Sequence, residues 1–433
     1  MHPLAVTPHP TLPLKEGGIF FFLPLPLEGG GLGLGCEAMN SSASIGLGVV
    51  GLGTAGAMMV RAAARHPGVR LAACADPLPA PREAFARDFN ARAYADIETL
   101  LADPEIDAVY IATPHQLHAT QAVLAASRGK HVIVEKPLAL TLADCDAVIE
   151  AVERHGVTLI VGHTHAFDPN IRAMRRIVAE GTLGRIGMIA AWNYTNFLYR
   201  PRRPEELDTS QGGGIVFNQI PHQIDIARTL GGGRVRSLRA VLGALDPGRP
   251  TEGNSTVLME FEDGASASLV YGGYDFFDSD ELHFWVSEAG TEKAPAHGAA
   301  RRALKGSAAP ETTLRAERGY REGAAKREAQ PHLPHFGLVV VTGEKGELRA
   351  SADGVILYDE AGAHEIAVPR GAGWAGHGDV LDALAAALRD GRRSPADARW
   401  GKANVEAMLA VLQSARERRE IALQHQVALP AGS

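Results

Sequence analysis

Cysteine is scarce: Cys36, Cys74 and Cys145 are the three in 433 residues. They are too few and too scattered for a disulfide framework or a thiolate metal cluster, and a reducing, cytoplasmic setting is expected. Long apolar runs are also missing. "IFFFLPLPL" is cut by prolines well short of the roughly eighteen residues a membrane helix needs. Positive charge is not in excess either. A formal net charge of −7 leaves no basic footprint for nucleic acid or an anionic membrane, so neither is expected as a partner. A basic start, an uninterrupted apolar core with a small-residue cleavage site, and paired arginines, the marks of export signals, are not clear, and an export signal is the lesser alternative for the N-terminal lead. Residues 1–44 instead carry a Pro/Gly pseudo-repeat, "PTLPLKEGG" echoed by "PLPLEGGG", and are expected to be a disordered or spurious extension with Met39 as the alternative start.

From Ile45 the pattern changes. "IGLGVVGLGTAG" reads as strand, glycine turn and helix start, and strands alternate with helices as far as "VTLIVGH". That alternation predicts an α/β fold whose first domain, 45–166, is a doubly wound Rossmann domain. Over 167–433 a helix, "PNIRAMRRIVAEG", precedes "RIGMIAAWNYTNF", "VRSLRAVLGAL", "NSTVLMEFED", "GASASLVYGGYDF" and "ELHFWVSEAG", read as strands of a mostly antiparallel open sheet. Residues 291–334 lose apolar periodicity and read as a surface insertion with some helix in it; two further strands and two helices close this α+β domain.

Gly51, Gly53 and Gly56 form G-x-G-x-x-G between strand and helix, where bare backbone turns sharply and a helix N-terminus faces a pyrophosphate. Asp76 follows Gly56 by twenty residues, at the place of a carboxylate that binds a ribose diol. It would repel a 2′-phosphate, so NAD is favoured over NADP. Other candidates stand at strand ends. Lys136 of "EKP" can exchange a hydroxyl proton if a dry cleft lowers its pKa. Asn218 and His222 lie four apart on one helix face, where the amide can orient and the imidazole can accept a proton. Either Lys136 or His222 can be the base. "GHTHAFDPN" adds His163, His165 and Asp168; His165 is expected at the substrate with Asn218, whereas H-x-H without a third fixed group is poor metal-ligand evidence, and no metal is expected.

"GVVGLGTAG", "DAVYIATPHQLHA", "VIVEKPLALTLAD", "GHTHAFDPNIRAMRRIVAEGTLGRIGMI" and "GGGIVFNQIPHQID" together resemble the glucose-fructose oxidoreductase/inositol dehydrogenase (Gfo/Idh/MocA) family over about residues 45–420. The resemblance implies hydride transfer with a nicotinamide, Lys136 and His222 as catalytic residues, and a homo-oligomer through the second sheet. It also places Thr54, Ala55, Thr113, Pro114, His118 and Glu135 along the cofactor. Where polyol-oxidising members commonly read D-x-G-x-H, this chain has Asn218 to His222, and an amide cannot act as a carboxylate base. "WNYTNFLYRPRRPEELDTSQGGG" is similar to the branch containing phthalate 4,5-cis-dihydrodiol dehydrogenases.

A carboxylated ring substrate gives "YRPRRPEELD" a purpose, because guanidinium binds carboxylate by paired hydrogen bonds. Arg200 with Arg202, or Arg200 with Arg203, would share a face, depending on backbone geometry, with Tyr199 as an aromatic wall. Neutralisation by Glu205, Glu206 and Asp208 is the competing reading. The expected activity is oxidation of an anionic cyclic dihydrodiol. A sugar or inositol dehydrogenase and a non-catalytic NAD-binding regulator are the alternatives; the first is opposed by Asn218, the second by the presence of Lys136 and His222.

Overall fold

A computed structural model describes residues 44–324, 330–370 and 374–430. All but the last residue of the extension expected over 1–44 lies outside the described residues. The first domain contains β1 (Ile45–Val50), α1 (Thr54–Ala63), β2 (Val69–Ala75), α2 (Pro79–Phe89), β3 (Arg92–Tyr94), α3 (Ile97–Leu101), β4 (Ala108–Ile111), α4 (His118–Ser127), β5 (His131–Glu135), α5 (Leu142–His155) and β6 (Leu159–Gly162). The strands form one parallel sheet ordered β3-β2-β1-β4-β5-β6. β1 and β4 are buried along their whole length, because helices cover both faces and a continuous apolar run feeds two cores. The strand order reverses between β1 and β4, and the glycine loop after β1 and the Lys136 segment after β5 both open at the carboxyl edge there.

The second part contains α6 (Pro169–Ala179), β7 (Ile186–Tyr194), α7 (Gly214–Asn218), α8 (Ile220–Leu230), β8 (Val235–Gly243), β9 (Asn254–Phe261), β10 (Ser266–Gly272), α9 (Ala299–Gly306) and α10 (Glu311–Ala316). It continues with β11 (Leu338–Gly343), β12 (Gly346–Ala350), β13 (Gly354–Asp359), β14 (Gly362–Ala367), α11 (His377–Asp390), α12 (Ala398–Glu417) and β15 (Ile421–Ala422). The nine-stranded sheet runs β14-β13-β12-β11-β7-β10-β9-β8-β15, antiparallel except where β7 meets β10. Its inner face carries Ile189, Ala191, Met259 and Leu269 into a core with residues of α6, α8 and α12. α11 returns to the first domain, placing Val380, Leu381 and Leu384 in one core with Met59 and Val60 of α1, so the closing helices straddle the 166/167 boundary.

Two expectations are corrected. "ELHFWVSEAG" is not a strand of the sheet. Asp278 caps a short 3-10 turn, Ser279–His283, and Phe284 and Trp285 follow with φ of 57° and 62°. Its alternation of bulky residues is overridden by the buried His283, whose Nε2 lies 2.9 Å from the Gly337 carbonyl and whose ring stacks on His335. The 291–334 segment is also more than a surface excursion. After α9 and α10 it runs back to the Rossmann domain and walls the cleft.

Candidate active site

The cradle begins at Gly51, whose φ of +88° lies in the left-handed region. A Cβ on Gly56 would sit 2.0 Å from the Gly51 carbonyl oxygen, so only a bare α-carbon lets α1 close on the turn. Gly53 differs: a Cβ there meets nothing within 4 Å, because the residue faces the open cleft. Gly53 also brings no capping side chain to α1, leaving the first amides for a ligand. Asp76, buried at the end of β2, accepts from Leu52 N–H at 2.7 Å on Oδ2 and from Leu78 N–H at 2.9 Å on Oδ1. The carboxylate is thereby fixed at the rim with lone pairs left over for a diol. Thr54, Ala55, Thr113 and Pro114 line the same cleft, and the set fits a bound NAD. His118 reaches the cleft too, but its ring is held between the Pro137 carbonyl at 2.8 Å and the Thr113 carbonyl at 3.0 Å. It fastens the β4 loop to the β5 loop.

The cleft encloses about 1490 Å³, above the roughly 300–1,000 Å³ of a single small-ligand pocket. Lys136 donates from Nζ to the Asn218 carbonyl at 2.6 Å. Burial pushes its pKa down to about 8, against the opposing pull of Glu135. Glu135 in turn accepts from the Tyr110 hydroxyl. His222, in the first turn of α8, is buried beside Phe336 and edge-on to His165, with ring centroids 4.7 and 4.8 Å away. Burial first, then the charges of Lys136 and His165, push His222 well below the ordinary imidazole range, so it is neutral at pH 7. Its Nδ1 has no partner among the described residues. His165 donates from Nδ1 to Asp168 Oδ2 at 2.8 Å; burial opposes its charge, yet the carboxylate prevails and raises it.

The H-x-H pair divides. His163 Nε2 accepts from Asn404 Nδ2 at 3.0 Å within a buried network that includes Asp225 and Trp400, while His165 turns to the cleft. Among the described residues no cluster of three or more metal-ligating side chains is present. The Asn218 side chain donates back to the Gly214 carbonyl at 2.8 Å, and its residue still lines the cleft.

The arginines separate as well. Arg202 is buried, donates from Nε and Nη2 to the Phe197 carbonyl, and lies over the Phe197 ring at 3.8 Å. Arg203 pairs with Glu205 at 2.9 Å and Glu206 at 3.5 Å. Arg200 donates to Asn196 Oδ1 at 2.6 Å and sits 3.4 Å from Glu288 at the cleft wall. All three line the cleft, Arg200 with its guanidinium held between Asn196 and Glu288. Tyr199 is corrected: it does not line the cleft, because its hydroxyl is bound by Asp246 and Arg301 and its ring lies beneath the Arg301 guanidinium. Glu288, Phe336 and Arg318 line the cleft without any motif in the sequence to mark them.

The description "Oxidoreductase family, NAD-binding Rossmann fold" matches residues 45–163, and the Gfo/Idh/MocA C-terminal domain matches 171–289. The chain is 37% identical over 381 residues, 86% of its length and 94% of the relative, to the 1-carboxy-3-chloro-3,4-dihydroxycyclohexa-1,5-diene dehydrogenase of Comamonas testosteroni. It is 34% identical over 173 residues, 40% of this chain and 49% of the other, to the scyllo-inositol 2-dehydrogenase (NAD(+)) of Bacillus subtilis. A crystal structure from Bordetella bronchiseptica RB50 superposes with a TM-score of 0.84 at 45% identity, covering 88% of this chain and all of that one (100%). A levoglucosan dehydrogenase bound to NADH shares the fold alone, at TM-score 0.67 and 20% identity over 88% of this chain and 99% of its own. Glycine cradle, strand-end lysine, open second sheet and these likenesses agree: the chain belongs to the Gfo/Idh/MocA family of NAD-binding oxidoreductases.

Proposed function

We propose that the chain oxidises a cyclic cis-dihydrodiol bearing a carboxylate, with NAD as oxidant and an aromatic diol as product. The observation that carries this reading is the Lys136–His222–Arg200 grouping in one cleft, beside the 37% identity to a dehydrogenase whose name specifies a carboxylated dihydroxycyclohexadiene. NAD, when bound, supplies the hydride acceptor. Lys136, shifted to about 8, matches a proton acceptor working near neutral pH. His222, held neutral, is too weakly basic for that task and orients the hydroxyl as a hydrogen-bond acceptor. Arg200 turns the ring by its carboxylate, and Phe336 offers the flat apolar wall. Aromatisation favours the product, so positioning, deprotonation and exclusion of water are what the protein contributes.

The test is NADH formation by the purified chain with a carboxylated cyclohexadiene cis-diol and with an inositol. Turnover of the diol and not the inositol supports the reading; the reverse result replaces it with a polyol dehydrogenase. No NADH from either, with NAD bound, favours a non-catalytic binder.

A further inference from the structure

The segment after α10 lies over the glycine loop. Tyr320 N–H donates to the Leu52 carbonyl at 2.8 Å, and its hydroxyl donates to Asp88 at 2.6 Å. A Cβ on Gly319 would stand 3.0 Å from the Leu52 carbonyl oxygen and 3.8 Å from Gly53 Cα. The strap therefore runs beside the glycine loop and leaves the Gly53 side open to the cleft. Arg315 spans two domains, donating from Nη1 to Thr54 Oγ1 at 2.9 Å and from Nε and Nη2 to the Glu206 carboxylate. Arg318, one turn on, lines the cleft, and among the described residues its guanidinium has no hydrogen-bond or ion-pair partner. Partial burial and the like charges of Arg200 and Arg315 weigh against its cation and outweigh the opposing pull of Glu206 and Glu288. Residues 51–60 contain no lysine or arginine, so the Rossmann loop itself offers a pyrophosphate no side-chain charge. A cation without a bonded partner, near other cations and next to the Gly319 seat on the glycine loop, is best placed when an anion lies against it.

We infer that Arg318 is a phosphate ligand, a charge supplied by the second domain to the pyrophosphate of the dinucleotide, with Arg315 as the positioning residue that fixes the strap to Thr54 and Glu206. The inference rests on reading the cleft as the NAD site. A substrate carboxylate is the other anion of suitable chemistry, and the seat of Gly319 on the Leu52–Gly53 backbone favours the phosphate.

The test is calorimetric binding of ADP-ribose and of adenosine to the full chain, wild type, Arg318→Ala and Arg318→Lys. ADP-ribose carries the pyrophosphate without the nicotinamide. Loss of the guanidinium is expected to weaken ADP-ribose about tenfold, leave adenosine unchanged and flatten the salt dependence, with lysine intermediate. Arg318 is exposed enough that its removal leaves thermal unfolding unmoved, and unfolding serves as the folding control. Unchanged ADP-ribose affinity in a folded Arg318→Ala chain overturns the inference. So does a defect confined to KM for the carboxylated substrate, which gives Arg318 to the substrate instead. Wild type failing to bind ADP-ribose removes the dinucleotide reading itself, a different failure.

Discussion

At Lys136 burial and function pull in opposite directions. Its pKa is pushed down to about 8 by burial. Between that value and the ordinary one of roughly 10.4, the unfolded chain holds a proton that the folded chain has released, so stability rises with pH through this window and the full penalty is present below it. Lys136→Met removes a charge that the cleft partly desolvates. It is expected to leave Tm unchanged or raised at pH 7 while cutting kcat/KM about 10²–10⁴-fold, read by calorimetry and steady-state kinetics. In the wild type kcat/KM for oxidation should climb as pH approaches about 8, and this limb should vanish in the variant. The arginines answer separately. Arg200→Ala is expected to raise KM for a carboxylated substrate roughly tenfold. Arg202→Ala, which unpairs the Phe197 carbonyl, should cost about 1–3 kcal/mol of stability, and Arg203→Ala less than about 0.5 kcal/mol. Equal KM effects from all three would contradict the division of labour.

Among the elements, the stretch from Arg200 to Asp208 is a joint more than a ligand loop. Glu206 accepts from Arg315 and from Arg203 N–H and lies 3.7 Å from Arg202. Burial opposes its charge, but the Arg315 hydrogen bonds and Arg202 hold its pKa below the usual value. The stabilisation is thus present above the unfolded glutamate value of about 4.3 and lost as pH falls through the lower folded one. Glu206→Gln should flatten that acid limb and speed amide exchange over residues 311–324; unaltered exchange there would show that the strap holds without this anchor. Strands with continuous apolar runs, such as β1 and β4, were legible because burial on both faces writes itself into composition. β3 was not, having three residues with Arg92 exposed. The strap was illegible for another reason. Its attachments are one backbone amide at Tyr320, one glycine and one arginine, none of which imposes a period. At the candidate site, glycine spacing and strand-end position pointed to Gly51, Gly53, Asp76 and Lys136, which line the cleft, whereas Glu288 and Phe336 arrive from loops that only the tertiary fold brings near.

For the whole molecule, the outer face of the nine-stranded sheet stands out. Register places Met188 and Trp192 of β7, Leu258 of β9 and Val241 of β8 on that one face, and all four are exposed, Leu258 at 55% and Val241 at 58%. We propose that a second copy of the chain covers it, as the expected homo-oligomer requires. Trp192→Lys should then shift the mass measured by light scattering toward the monomer with little change in fold; an unchanged mass would assign the face elsewhere. The cleft lies at the other sheet's edge and should retain NAD affinity in that variant.

The central claim is the chemistry. It is tested most directly by incubating the full chain with NAD and a carboxylated cyclohexadiene cis-diol, following NADH and the aromatic diol together. One NADH per aromatic diol formed, lost in Lys136→Met, is the expected result. No turnover of that diol, alongside brisk oxidation of an inositol or aldose, would contradict it.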